Sequence, residues 1–166
     1  MSARAAPLPE TVQTYLAGLA AAGSAGLLAG AFLFQHVGGL PPCEMCIWQR
    51  WPHALAIVLG ALLLVPVLRG LRAIRAAGAL AMLLGAGVAL MHTGVERGWW
   101  EGPTECSSSV GAGMSTDDLL AAIHNAPLVR CDDVAWSLMG LSMASWNGIL
   151  SLILAGLWIA SLRRSA

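Results

Sequence analysis

Four long stretches of this chain contain no Asp, Glu, Lys or Arg: residues 11–43, 51–68, 76–95 and 134–162. A helix needs roughly 20 predominantly apolar residues to cross a hydrocarbon core of ~30 Å. Each stretch is about that long, and the second gains length if its helix begins near Ile47. Composition agrees. The 166 residues are 57% hydrophobic and 11% charged, and lysine is absent. That charge content is less than half the soluble average and is too low to coat a soluble globule. The expectation is an all-α integral membrane protein, a four-transmembrane-helix bundle with helices at about 14–35, 47–68, 76–95 and 141–162. Residues 1–166 then form a single membrane domain, with outer loops at about 36–46 and 96–140. The first apolar run is too long for the h-region of an ordinary secretory signal. A net charge of zero gives no footprint for a nucleic-acid partner.

Orientation follows from arginine. Arg4, Arg69, Arg72, Arg75, Arg163 and Arg164 fall on one side, and Arg50, Arg97 and Arg130 on the other. Both termini are therefore expected in the cytoplasm, with the two long connections outside. Trp48, Trp51, Trp99, Trp100, Trp136 and Trp146 fall near the outer ends, as an interfacial belt or as the wall of a binding site. Small residues recur at four-residue spacing: Gly18, Ala22, Gly26 and Gly30 in the first helix, Ala81, Gly85 and Ala89 in the third, and Ala144, Gly148, Gly156 and Ala160 in the fourth. Such stripes let helices approach closely in lipid. Within the second outer loop, Ser115-Thr116-Asp117-Asp118 reads as a helix start, with Leu119, Leu120 and Ile123 on one face and Pro127 beyond. A short amphipathic helix on the membrane surface is expected there.

All four cysteines fall on the outer side. Cys43 and Cys46 form a Cys-x-x-Cys motif after Pro41-Pro42, where the second helix begins; Cys106 and Cys131 lie in the second loop. A helix N-terminus lowers a thiol pKa, while Glu44 between the two opposes that effect. Three chemistries compete. Permanent disulfides would make the chain a structural membrane subunit with inert bridges, but closing so short a Cys-x-x-Cys ring constrains little chain entropy. A four-cysteine zinc site would ordinarily bring two paired knuckles, and only one is present. Two dithiols facing one oxidising compartment can instead exchange electrons by thiolate attack. Cys46, Gln49, Arg50 and His53 share a helix face at i, i+3, i+4 and i+7. Arg50 there reads as an interfacial anchor or as a cation beside a thiolate or an anionic oxygen. His92, with Glu96 one turn on, reads as a headgroup-level histidine or as a functional ionisable group. His36 and His124 read as ordinary interface and loop residues.

Cys43-Glu44-Met45-Cys46-Ile47-Trp48-Gln49-Arg50 resembles the Cys-x-x-Cys-x-x-Gln/Glu-Arg signature of the DsbB family. The likeness extends through His92-Thr93-Gly94-Val95-Glu96, Gly102-Pro103-Thr104-Glu105-Cys106-Ser107, and Cys131-Asp132 with Trp136. Vitamin K epoxide reductases carry the loop pair first, so the order of motifs also favours DsbB. The resemblance implies a thiol:quinone oxidoreductase in the bacterial inner membrane that reoxidises a periplasmic DsbA-like thioredoxin-fold oxidase. It implies that Cys106 forms the mixed disulfide with that partner and that Cys131 leaves and then reduces Cys43. It further implies that Cys46 faces a membrane quinone, ubiquinone or menaquinone, beside Arg50. His92 and Glu96 become candidates for orienting the quinone or supplying protons. The lipid bilayer is the remaining partner, and no metal is expected.

Overall fold

The computed structural model describes residues 8–103, 115, 117 and 129–163. Four helices make up nearly all of it: α1 (Glu10–His36), α2 (Glu44–Leu62), α3 (Arg72–Glu96) and α4 (Met143–Ala160). Among the described residues, α1, α3 and α4 are long and apolar enough to cross a membrane. Helix α2 falls outside that set because Glu44, Gln49, Arg50, Pro52 and His53 crowd its first half. Helices α1 and α3 each pack on both α2 and α4, with α3 on α4 the most extensive contact.

Helix boundaries follow local chemistry. Pro41-Pro42 keep the chain extended, and Cys43 caps α2 by accepting a hydrogen bond from the Cys46 N–H at 3.3 Å. The helix thus starts at Glu44, earlier than the expected position 47. It also stops at Leu62 rather than 68, because Pro66 cannot continue it, and a 3-10 turn over Pro66–Leu68 follows. Helix α4 starts at Met143, not 141. Leu141–Ser142 instead pairs with Ser137–Leu138 as a two-stranded antiparallel ribbon. Its loop, Met139-Gly140, has φ of 54° and 76°, the signature of a tight type I′ turn. Ser142 then caps α4 by accepting from the Ser145 N–H at 3.1 Å. The amphipathic helix expected after Ser115 lies, apart from Ser115 and Asp117, outside the described residues, as do His124 and Cys106.

The core in the half of the bundle away from the cysteines joins Ala17, Ala20, Ala56, Leu63, Ala79, Met82, Leu154, Ala155 and Trp158. Small residues let the helices close. A Cβ on Gly60 would sit 2.2 Å from the Ala21 Cβ, and one on Gly78 would sit 2.5 Å from the Trp158 indole. In α3 the expected stripe of Ala81, Gly85 and Ala89 is buried. In α1 it is not. The buried face there is Gln13, Ala17, Ala20 and Ser24, while Gly18, Gly26 and Gly30 have nothing in reach of an added Cβ. A run rich in Gly and Ala offers more than one small-residue stripe, and packing selects the one carrying Ala17 and Ala20. In α4 the buried face is Ala144, Ser151, Leu154, Ala155 and Trp158, so Ala144 keeps its expected place while Gly156 faces outward.

Candidate functional site

The chemistry-bearing residues gather at one end of the bundle, where α2 and α4 begin and α1 and α3 end. Cys43 and Cys46 lie one turn apart, and their sulfurs are 2.9 Å apart as a hydrogen-bonded thiol pair. Cys43 is buried. The hydrogen bond to Cys46 and then burial push its thiol up to about 12. Cys43 therefore keeps its proton and points it at Cys46.

Cys131 comes from the far end of the second loop and is fully buried against Cys43, Met45 and Val95. Its sulfur, the Cys43 sulfur and a ring nitrogen of His92 lie within 4.8 Å of one another. Folding thus brings one cysteine of the loop pair against the first cysteine of the Cys-x-x-Cys pair. Beside Cys131, Arg130 and Asp132 form an ion pair at the surface; the Arg130 guanidinium holds the Asp132 carboxyl below the usual carboxylate range.

His92, in the last turns of α3, is buried and faces the thiols. Its Nε2 is 3.5 Å from the Cys43 sulfur and 3.9 Å from Glu96 Oε1, and its Nδ1 is 2.8 Å from Gln49 Nε2. A simply solvated histidine is excluded by this placement. Glu96 accepts a hydrogen bond from the Ser142 hydroxyl, which also contacts Ser145 at 3.0 Å. Arg50 reaches toward α1 instead of a sulfur. It donates to Gln35 Oε1 at 2.7 Å and lies over the Phe32 ring at 5.0 Å.

A cavity of about 300 Å³ opens beside the thiols, lined by α1, α2 and α4 and by His92 and Glu96 of α3. Cys46, Gln49, Arg50 and His53 all line it, so the shared helix face read from their spacing is the cavity wall. Leu27, Phe34, Trp136 and Leu150 supply apolar surface. The tryptophans divide between the two roles considered for them: Trp136 and Trp146 line the cavity, while Trp51 and Trp99 project outward. Spacing did not single out Gln35, Ser142, Ser145 or Asn147. The available signal was polarity: Asn147 is an amide in an otherwise apolar helix, where such groups are costly unless bonded.

Fold and site together define a helical membrane protein with clustered thiols at one end of its bundle. The family described as disulfide bond formation protein DsbB matches residues 13–161. A disulfide bond formation protein B of Aromatoleum aromaticum is 37% identical over 131 residues, covering 74% of this chain and 76% of that protein. One from Methylococcus capsulatus is 36% identical over 132 residues, covering 74% and 77%. One from a Polaromonas species is 30% identical over 151 residues, covering 84% of each chain. No solved structure matches. The chain belongs to the DsbB family, and it is a disulfide-generating membrane oxidoreductase.

Proposed function

We propose that this chain is a thiol:quinone oxidoreductase that reoxidises a thioredoxin-fold oxidase of the periplasm. The observation that carries this reading is the close approach of Cys131 to Cys43, itself paired with Cys46, beside a cavity lined by Cys46 and Arg50. In this reading α2 crosses the membrane with the other three helices. Both termini lie in the cytoplasm, as the arginine distribution argues.

The electron path is a series of exchanges. A thiolate of the reduced partner attacks Cys106 of a Cys106–Cys131 disulfide and Cys131 leaves as thiolate. The partner's second thiolate then displaces Cys106, so the partner departs oxidised. The Cys131 thiolate attacks Cys43 of a Cys43–Cys46 disulfide, and the Cys46 thiolate leaves. Cys106 then attacks Cys131, restoring the loop disulfide and releasing Cys43, which takes up a proton. Each exchange moves two electrons without a net change in bond count.

The cavity suits a quinone. Its walls are largely apolar, its volume is at the lower end of small-ligand sites, and Cys46 and the Arg50 guanidinium are among the reactive and charged groups that line it, with Cys43, Glu96, Arg130 and Asp133. His53 Nδ1 adds a buried acceptor with no partner on the cavity wall. The Cys43–Cys46 dithiol would close again to its disulfide, giving up the two electrons and two protons that turn a bound quinone into a hydroquinone. Cys46 presents the thiolate, Arg50 offers a fixed positive charge to an anionic oxygen, and His92 with Glu96 can hold a proton near Cys43.

The test supplies purified protein with a reduced thioredoxin-fold oxidase and either ubiquinone or menaquinone, and follows quinone reduction. Cys46→Ala and Cys106→Ala should each abolish turnover, and Arg50→Ala should raise the quinone KM by about tenfold, the loss of one charge-assisted contact. Full activity in either cysteine variant would overturn the relay, and no quinone reduction by the unmodified chain would favour inert structural bridges. Cys43, His92 and Cys131 also form a donor set for a thiophilic cation. About one zinc per purified chain with no quinone reduction would replace the redox reading.

A further inference from the structure

Five hydrogen bonds run in series from the middle of the bundle to Cys46. His53 Nε2 is 2.9 Å from Asn147 Oδ1; Asn147 Nδ2 is 2.8 Å from Gln49 Oε1; Gln49 Nε2 is 2.8 Å from His92 Nδ1. His92 Nε2 is 3.5 Å from the Cys43 sulfur, and the Cys43 thiol donates to Cys46 at 2.9 Å. The direction of the series is fixed by one backbone group. Gln49 Nε2 also lies 3.2 Å from the Met45 carbonyl oxygen, which can only accept, so the amide nitrogen must occupy that edge. That nitrogen then donates to His92 Nδ1, which must be unprotonated. The neutral His92 ring carries its proton on Nε2, facing Cys43. On the other side, Gln49 Oε1 accepts from Asn147 Nδ2, which leaves Asn147 Oδ1 to accept from the His53 Nε2–H. His53 Nδ1 is then a bare acceptor, and it is one of three buried side-chain atoms without a hydrogen-bond partner among the described residues.

We infer that Asn147, held by His53, is a positioning residue that reinforces the Gln49 amide orientation set by the Met45 carbonyl and so helps keep the His92 proton on Nε2, with every donor in the series pointing toward Cys46. The two imidazoles, two amides and the Cys43 thiol form one aligned chain of dipoles whose positive ends face that sulfur. Aligned hydrogen bonds polarise one another, and among groups this buried their field is screened less than in water. A thiolate on Cys46 is therefore met by an oriented donor that need not reorganise when charge forms. Glu96 Oε1, 3.9 Å from Nε2, favours the same tautomer. The purpose of this arrangement rests on the redox reading above, while the tautomer itself does not.

The experiment is imidazole 15N spectroscopy on the full chain with all thiols reduced, without quinone or partner, at a pH where His92 is neutral. Two-bond 15N–1H patterns distinguish the two tautomers directly. In the unmodified chain the Nε2–H form of His92 should exceed the Nδ1–H form by about tenfold, the worth of one net hydrogen bond. Asn147→Leu, or Asn147→Ala should the larger side chain prevent folding, should lower that ratio by about fivefold. His53→Gln, which retains an N–H donor at the same reach, should stay within about twofold of the unmodified chain. A predominantly Nδ1–H ring in the unmodified chain would overturn the inference, as would an unchanged ratio in the Asn147 variants. Because no quinone enters, failure of the quinone reading and failure of this inference are separate outcomes.

Discussion

Cys43 and Cys46 are three positions apart, yet their environments divide the labour between them. Cys43 is the donor of the pair and is pushed up to about 12, first by that hydrogen bond and then by burial. A raised thiol pKa keeps Cys43 protonated at every physiological pH, and its thiolate grows in only as pH climbs toward that value. In the fully reduced protein at pH 8, a small alkylating reagent should therefore modify Cys46 well before Cys43, as mass mapping of a time course would show. In Cys46→Ala the leading cause is removed, so Cys43 should react faster than it does in the unmodified chain. Equal rates at both cysteines, or a slower Cys43 in the variant, would contradict this division. Cys43, Cys46, Cys131, Arg50, His92 and Glu96 stood out in the sequence because ionisable and sulfur side chains are rare in so apolar a chain. Their partners were less so. Arg50 is held by Gln35 and Phe32 of α1, contacts across helices that no local spacing encodes.

At the scale of elements, the helices were legible because uncharged length is a strong signal and the bilayer sets a fixed span. Their ends were less so, since caps and prolines act over a few residues. Cys43 and Ser142 each cap a helix through a side-chain acceptor, and Pro66 ends α2 early. The packing face of α1 could not be read, because small residues occur on more than one of its faces and only the neighbouring helices choose between them. Gly60 and Gly18 separate these cases. A methyl on Gly60 would meet Ala21 at 2.2 Å, an atom fixed to the α1 backbone, whereas one on Gly18 meets nothing within 4 Å. Gly60→Ala should destabilise the detergent-solubilised protein by about 1–3 kcal/mol through overpacking, seen as a lower thermal midpoint. Gly18→Ala should leave the midpoint unchanged. A lowered midpoint in Gly18→Ala with none in Gly60→Ala would mean the helices pack on other faces.

Across the whole molecule, the bundle places a buried thiol pair at the start of one helix, a histidine near the end of another and a loop cysteine over both. The half of the bundle away from the thiols is closed by alanine, glycine and Trp158, and the half beside them carries the cavity and the linked hydrogen bonds of Gln49, His53, His92 and Asn147. Sequence placed all four cysteines on one side, but only the folded chain shows Cys131 returning to Cys43 from a segment far along the loop. Exchange between the two pairs is the central claim, and it is tested by trapping. In the Cys46→Ala, Cys106→Ala double variant, Cys43 and Cys131 are left as sole thiols with their sulfurs within 4.8 Å. Mild oxidation should join them within one chain in near-stoichiometric yield, detected as a single cross-linked peptide by mass spectrometry. Two free thiols under those conditions, or bridges formed only between chains, would contradict the relay.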